Sequence, residues 1–215
     1  MARRKDGELE DYFYNRYLTY GKYDLPLIEK QDIDLSNLKL IRFSSIVKNE
    51  TKDLDATVHF FEYDSRFDVV WNKPAAYLKE LGQYKQVMSP DFSMYTNMST
   101  ALQIFNAYRT RWLGAYWQEH GMTVIPTISW SDESSFEFCF DGIEKGSVVA
   151  ISTLGCMDVK WRFIDGFMAM CEKIEPSKVI CYNKPFAEMR EIADIIEVPY
   201  LRNERIAPET AGGNR

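Results

Sequence analysis

The sequence predicts an α/β fold with a mostly parallel sheet, and three observations lead to this prediction. Short runs rich in Val and Ile alternate along the chain with segments of helical periodicity. Several of these runs are almost continuously apolar, which is typical of strands that are buried on both faces. The chain has 215 residues, of which 46% are hydrophobic, so it can bury the core of one domain. We expect a single α/β domain with an aromatic-rich N-terminal arm over residues 1–206 and a flexible tail over residues 207–215.

Seven segments fit the pattern of buried strands. The chain is shorter than the roughly 250 residues of a complete (β/α) barrel. No glycine-rich nucleotide-binding loop follows the first strand, which argues against an open doubly wound sheet. The prediction is therefore a compressed or irregular TIM-like (β/α) barrel of about seven strands, with the open sheet as the alternative. The predicted strands cover residues 40–45, 58–61, 87–89, 124–130, 148–153, 179–182 and 198–201.

Five segments fit the helical pattern. The longest covers residues 99–120, where apolar side chains recur every three or four residues and Ser99 is a suitable N-cap. Pro74 interrupts the segment 67–81, so a helix is expected to begin near that residue. Residues 135–141 follow a capping-box pattern, which predicts a short helix. The other helices are predicted at residues 158–174 and 185–195.

Charge and cysteine content exclude several classes of function. The chain carries 26 Lys and Arg against 32 Asp and Glu, a formal charge of −6 that opposes general binding to nucleic acids or anionic membranes. No apolar run reaches the roughly 18 to 20 residues of a membrane span. The charged N-terminus lacks the apolar core of a secretory signal, so we expect a cytoplasmic protein with free thiols and no membrane association. With two separate histidines and no paired cysteines, no zinc, haem or iron–sulfur cluster is expected.

The best candidate site lies at the carboxyl ends of the predicted strands, where ligands of parallel α/β sheets bind. Asp91 follows a proline at the end of one strand, and Asp132 and Glu133 follow the strand at 124–130. Asp91 with either of the other two would form a two-carboxylate site, in which one group acts as acid and the other as base or nucleophile. These three are the candidate catalytic residues. The candidate ligand-binding residues are Trp130, Arg109, Arg111, Ser93 and Tyr63.

The same residues allow other interpretations. Trp130 and Tyr63 as stacking platforms would suit a carbohydrate, whereas the carboxylates could instead hold a divalent metal such as Mg²⁺ and a phosphorylated ligand. Asp132 and Glu133 also fit a helix N-terminus, where acidic side chains cap free backbone amides.

The two arginines of the longest predicted helix cannot both contact one ligand. Arg109 and Arg111 lie two residues apart and therefore point about 200° apart around the helix. One could clamp a phosphate or carboxylate through two hydrogen bonds, while the other is solvated or paired.

Three stretches carry distinctive combinations of residues. They are P-D-F-S at 90–93, Y-R-x-R-W-L-G-A-Y-W-Q at 108–118 and S-W-x-D-x-x-S-F at 129–136. Through these motifs the chain resembles DUF4417, a domain of unknown function found in phage, prophage and plasmid proteins, over roughly residues 10–203. The resemblance implies a protein of mobile genetic elements but no particular reaction, so the motifs nominate residues without assigning roles to them.

Two functions of different classes stay open from the sequence. In the first, a small polar or phosphorylated ligand binds at the strand ends, and hydrolysis or phosphoryl chemistry suits the acidic groups if the protein is an enzyme. In the second, the chain is a non-catalytic interaction protein for a host or element-encoded partner, which the lack of a complete catalytic motif favours. Whether the protein forms homo-oligomers is left open. A third function is nucleic-acid binding through Arg3, Arg4 and Lys5, or through Arg109 and Arg111. The overall charge opposes it.

Overall fold

The computed structural model describes residues 16–48 and 53–200. These residues form a mixed α/β arrangement built on parallel sheets, as the sequence predicts. Most of the predicted N-terminal arm (1–15), the predicted tail (207–215) and the last residue of the predicted strand at 198–201 lie outside the described residues.

The strands are short, and those of the two larger sheets are all parallel. β3, β4, β5 and β6 form a four-stranded parallel sheet in that order, and β7, β8 and β9 form a three-stranded parallel sheet. The strands β1 and β2 pair in an antiparallel hairpin that the sequence does not predict. The strands are β1 (Thr19–Tyr20), β2 (Leu25–Pro26), β3 (Leu40–Arg42), β4 (Thr57–His59), β5 (Gln86–Met88), β6 (Val124–Ile125), β7 (Val148–Ser152), β8 (Lys178–Tyr182) and β9 (Ile195–Val198).

A single bridge joins the two parallel sheets. Thr127 pairs in parallel with Ala150. The Ile128 N–H donates to the Ala150 carbonyl at 2.9 Å, and the Ala150 N–H donates to the Pro126 carbonyl at 2.8 Å. The seven strands from β3 to β9 are therefore consecutive in space as well as in sequence. No pairing between β3 and β9 is found within residues 16–48 and 53–200, so the described chain does not form a closed barrel.

Both parallel sheets curve around a shared apolar cluster. His59 of β4 and Tyr182 of β8 have ring centroids only 4.8 Å apart, although three strands separate β4 from β8. Neighbouring strands lie about 4.8 Å apart, so a flat sheet would hold these two residues about 19 Å apart. The two sheets must therefore curl toward each other. The buried members of the inner cluster are Phe61, Met88, Ile125, Ala150, Ile180 and Tyr182.

A larger core lies on the other face of the strands, where the helices pack. Trp112 and Trp117 of the longest helix are fully buried there, together with Phe167 of the second longest. Burying such aromatic side chains removes large apolar areas from water and is a main source of stability. The helices are α1 (Phe43–Val47), α2 (Val69–Asn72), α3 (Leu78–Leu81), α4 (Thr100–Glu119), α5 (Lys160–Ile174) and α6 (Met189–Ile192).

Helix boundaries follow local sequence signals in several places. The Ser99 side chain accepts a hydrogen bond from the Leu102 N–H, which makes it the N-cap of α4. The predicted segment 67–81 is divided at Pro74, because α2 ends before this residue and a 3₁₀ turn begins at it. In contrast, the predicted strand at 40–45 is wrong in its second half, where α1 begins at Phe43.

The predicted helix at 135–141 is wrong. A 3₁₀ turn spans Glu133–Ser135 and is followed only by turns. The carbonyls of Cys139 and Asp141 in these turns accept hydrogen bonds from the Arg111 guanidinium. The predicted helix at 185–195 is likewise reduced to α6, because β9 begins at Ile195 and pairs with β8.

Candidate functional site

Asp91 lies at the carboxyl end of β5, where it meets groups from both neighbouring strands. Burial raises the pKa of Asp91 to about 7, and the negative charge of Asp64, which follows β4, acts in the same direction. Ser129, which follows β6, hydrogen-bonds to the carboxyl group and opposes the rise. A carboxyl group with such a pKa exchanges its proton near neutral pH, as a general acid or base must.

Ser93 and the backbone around it hold the Asp64 carboxylate. The Ser93 hydroxyl donates to Asp64 Oδ1 at 2.7 Å, and the Ser93 N–H lies 3.3 Å from both carboxylate oxygens. Asn106 Nδ2 donates to the Ser93 carbonyl at 2.7 Å and fixes this turn against α4. Burial raises the pKa of Asp64 above its usual range, although the hydrogen bonds from Ser93 and the charge of Arg109 oppose the rise. Asp64 and Asp91 are therefore two carboxyl groups from adjacent strands, both partly desolvated.

Arg109 borders this carboxyl pair from α4. Its guanidinium carbon lies 3.6 Å from the ring centroid of Phe92, and its Nη2 donates a hydrogen bond to Asn106 Oδ1 at 2.6 Å. The contact with Asp68 is longer, at 3.4 Å. Burial lowers the pKa of Arg109, and the charges of Asp68 and Asp64 oppose this effect. The buried Arg109 Nε has no hydrogen-bond acceptor, so this group retains a donor that a ligand could satisfy.

Cys156, which follows β7, lies close enough to Asp91 for their charges to interact. Burial raises the pKa of the Cys156 thiol to about 11, and the Asp91 charge acts in the same direction. The nucleophilic form of cysteine is the thiolate, which is scarce at neutral pH when the pKa is this high. The side chains at this end of the sheet therefore suit carboxyl chemistry rather than thiolate chemistry.

Arg111 points away from Arg109, as their spacing on the helix requires. Its guanidinium donates to three backbone carbonyls, those of Asp141 at 2.9 Å, Thr127 at 3.2 Å and Cys139 at 2.5 Å. Burial lowers the pKa of Arg111 to about 10, and it is almost fully buried. This arginine joins the turns after residue 136 to the strand region at Thr127 and does not reach the Asp64–Asp91 pair.

Three of the candidates from the loop after β6 do not converge with Asp91. Trp130 is buried in the helical layer, where its indole lies against the backbone of Gly166. Asp132 caps the following turn, because its Oδ1 accepts from the Ser134 N–H at 3.1 Å and from the Ser134 hydroxyl at 2.6 Å. Glu133 is exposed in the first turn of the same 3₁₀ segment. The placement of both acidic residues matches the capping interpretation.

Two exposed tyrosines adjoin site residues, Tyr63 in the chain and Tyr95 in space. Tyr63 directly precedes Asp64 and is 53% exposed, and Tyr95 is 58% exposed with its hydroxyl 3.3 Å from Ser93 Oγ. Asp64 and Tyr95 are not among the candidates from the sequence. The signal for Asp64 was present, since it follows the strand next to the one that precedes Asp91. Tyr95 carries no such signal, because only the fold of its turn brings its hydroxyl to Ser93.

Comparison with known proteins identifies the family. A protein-family sequence model described as "Domain of unknown function (DUF4417)" matches residues 17–199. The chain belongs to the DUF4417 family. It is 38% identical over 160 residues to the Gene 1 protein of Mycobacterium phage L5, covering 73% of this chain and 70% of that protein. It is 35% identical over 152 residues to the Gene 1 protein of Mycobacterium phage D29, covering 69% of this chain and 56% of that relative's length. No solved structure matches the chain significantly.

Other features of this DUF4417 protein lie away from Asp91. Two open cavities of about 440 and 350 Å³ are found near the amino ends of the strands, the first lined in part by Lys30 and Glu144 and the second by Lys39 and Lys85. Among residues 16–48 and 53–200, no three His, Cys, Asp or Glu side chains are grouped so that they could hold a metal ion. In that same part of the chain, no helix has both the length and the apolar character that crossing a membrane requires.

Proposed function

We propose that this DUF4417 protein binds a small polar ligand at the carboxyl ends of β4 to β7, and that Asp91 transfers a proton there. The observation that carries the proposal is the Asp64–Asp91 pair, two partly desolvated carboxyl groups on adjacent strands. Like charges in such a place separate the proton affinities of the two groups, which is how paired carboxylates divide the roles of acid and base. The hydroxyl of Ser93 and the guanidinium of Arg109 lie beside them.

Hydrolysis is the reaction that these groups suit best. Asp91 in its protonated form would donate its proton to the leaving oxygen, while ionised Asp64 would accept a proton from the attacking water. The water oxygen forms the new bond as the bond to the leaving oxygen breaks. One product keeps the hydroxyl of the water, the other leaves with the proton from Asp91, and the proton on Asp64 returns to Asp91 through solvent. The Arg109 guanidinium would stabilise negative charge that develops near the reacting centre.

The same proposal includes the shape of the sheet. An irregular, open TIM-like barrel would place all seven strand ends around one face, where sites of that architecture form. The consecutive order of β3 to β9 and the contact between His59 and Tyr182 support this arrangement.

Ligand-observed NMR with a library of polar metabolites tests the proposed site. We expect some compounds to bind the wild-type chain and to lose binding in Asp91→Asn. Asp132→Asn is the matched control, because it changes an acidic residue that caps a turn instead of facing Asp64. If every compound that binds the wild type binds Asp91→Asn equally well, the site is not where we propose it.

A second candidate function is protein binding, and exposed apolar residues from the loop after β7 to the first turn of α5 favour it. Met157 is 74% exposed and Trp161 is 66% exposed, and Leu154 and Val159 lie exposed in the same stretch. Exposed apolar clusters of this kind often mark protein interfaces, where tryptophan contributes strongly to affinity. The partner would be a host or element-encoded protein, or a second copy of the chain.

Affinity capture and sedimentation velocity test this second candidate. We expect a stoichiometric partner, or a dimer, that is lost in Trp161→Ala. Leu18→Ala is the control, since Leu18 is equally exposed but adjoins the β1–β2 hairpin. Identical behaviour of both variants and the wild type would exclude binding through this patch.

A further inference from the structure

The two tyrosines at the site are accessible although most aromatic side chains of the described chain are buried. Tyr63 precedes Asp64 in the chain, and the Tyr95 hydroxyl is 3.3 Å from Ser93 Oγ, the same oxygen that donates to Asp64. Tyr95 therefore borders the proposed site in space, and Tyr63 adjoins it in the chain. Tyrosine combines a large apolar ring with a polar tip and binds well to ligands that are themselves amphipathic.

The hydrogen-bonding groups of the site call for a ligand that both donates and accepts. Asp64 and Asp91 offer carboxylate acceptors. The buried Nε atoms of Arg109 and of Arg66, which shares a 3₁₀ turn with Asp64, are donors without an acceptor. A hydroxyl group donates and accepts at once, whereas a phosphate only accepts. A polyhydroxylated ligand therefore complements both sets of groups.

The charge and the shape of the site also favour an uncharged ligand with many hydroxyl groups. The turns around the site carry Asp64, Asp68, Asp91 and Arg66, and Arg109 approaches from α4, so the site offers no surplus of positive charge for a phosphate. The two cavities described above lie at the opposite ends of the strands. Small-molecule sites usually enclose the ligand in a cleft of about 300–1,000 Å³, whereas exposed aromatic rings suit a ligand that stacks on an open surface.

From these contacts we infer that the ligand is a neutral saccharide that stacks on Tyr63 and Tyr95 while its hydroxyls bond to Asp64, Asp91 and the arginine donors. This inference rests on the proposed function and specifies its substrate class. Because the ligand is a saccharide, the bond that is hydrolysed is a glycosidic bond. Asp91 protonates the glycosidic oxygen and Asp64 accepts a proton from water.

Calorimetric titration with maltohexaose, cellohexaose and chitohexaose tests the inference. We expect at least one of these hexasaccharides to bind, and binding to weaken about ten-fold or more in Tyr63→Ala and Tyr95→Ala, which corresponds to about 1.4 kcal/mol of stacking. Tyr95→Phe should retain most of the affinity, because it keeps the ring. Tyr20→Ala is the matched control, since Tyr20 is 52% exposed on β1, and it should bind as the wild type does.

The outcomes separate this inference from the proposed function. Absence of binding for all three hexasaccharides, or binding that both alanine variants leave unchanged, overturns the saccharide assignment. If inorganic phosphate binds instead and Asp91→Asn abolishes that binding, the saccharide assignment fails while the proposed site stands. If a hexasaccharide binds through the tyrosines but Asp91→Asn binds and turns it over normally, the ligand class stands and the proton-transfer role of Asp91 fails.

Discussion

The Asp64 carboxylate contributes to the raised pKa of Asp91, although the two residues follow different strands. Adjacent parallel strands end at the same edge of the sheet, which brings residues from distant parts of the chain together there. The sequence pairs Asp91 with Asp132 or Glu133, whereas the group that the structure brings to Asp91 is Asp64.

Asp91→Asn should lose less stability than the wild type between pH 4 and pH 8. The folded pKa of Asp91, about 7, lies above the ordinary 3.8, so its contribution to stability is complete below pH 4 and is lost as the pH rises through 7. Asparagine does not ionise and avoids this loss. We expect a relative gain of roughly 1–3 kcal/mol between pH 4 and pH 8 in urea denaturation, because Asp91 as a residue is only half-buried. A variant whose stability follows the same pH dependence as the wild type would contradict the raised pKa.

His59 should destabilise the fold in acid. Burial and the charge of Arg42 lower the pKa of His59 to about 3, below the ordinary 6.5. Its contribution is therefore present above pH 6.5 and is lost as the pH falls toward 3, by up to about 1.4 kcal/mol per pH unit. His59→Gln retains an acceptor for the Phe61 N–H, which His59 Nδ1 now accepts at 3.2 Å, and should reduce this loss. His120→Gln, which removes the other histidine, should keep the acid sensitivity that His59 causes.

Arg111→Met should be strongly destabilising. It removes the donor of three buried backbone carbonyls, each of which then lacks its hydrogen bond. We expect the free energy of unfolding to fall by about 3–5 kcal/mol, and Arg111→Lys to restore little, because an ammonium group cannot reproduce the planar fork. Arg162→Met, at an exposed position of α5, should cost almost nothing. Equal melting temperatures for Arg111→Met and Arg162→Met would show that the buried bonds do not stabilise the fold.

Gly166→Ala should disturb the packing of Trp130. A Cβ at position 166 would overlap the rigid indole of Trp130, so either the helix α5 or the ring must move. Overpacking of this kind costs about 1–3 kcal/mol and should change the tryptophan fluorescence. Gly114→Ala is the matched control, because the added methyl group would meet the flexible end of Ile28. A smaller loss for Gly166→Ala than for Gly114→Ala would contradict the contact.

Helices and strands whose boundaries are set by residues nearby in the chain could be predicted from the sequence. Ser99 caps α4 locally, and the apolar run of β8 is recognisable without its neighbours. The turns at 135–141 could not be predicted, because they are held by Arg111, which lies far away in the chain. Its guanidinium donates hydrogen bonds to the carbonyls of Cys139 and Asp141. A local pattern cannot reveal a partner that only the tertiary structure supplies.

The sequence predicts those residues of the candidate site that come directly after a strand. Asp91 and Ser93 lie near Asp64 because β4 and β5 are neighbours, and Arg109 approaches them from α4. Trp130 also follows a strand, but its side chain packs into the helical layer against Gly166. The direction of a side chain in a loop depends on packing, which the order of residues does not show.

The most direct test of the account is a ¹³C NMR titration of the Asp91 carboxyl carbon in the wild type and in Asp64→Asn. We expect a wild-type pKa near 7 and a lower value in Asp64→Asn, because that variant removes a neighbouring negative charge. A wild-type pKa near the ordinary 3.8, or one that Asp64→Asn leaves unchanged, would contradict the carboxyl pair on which the proposed function rests.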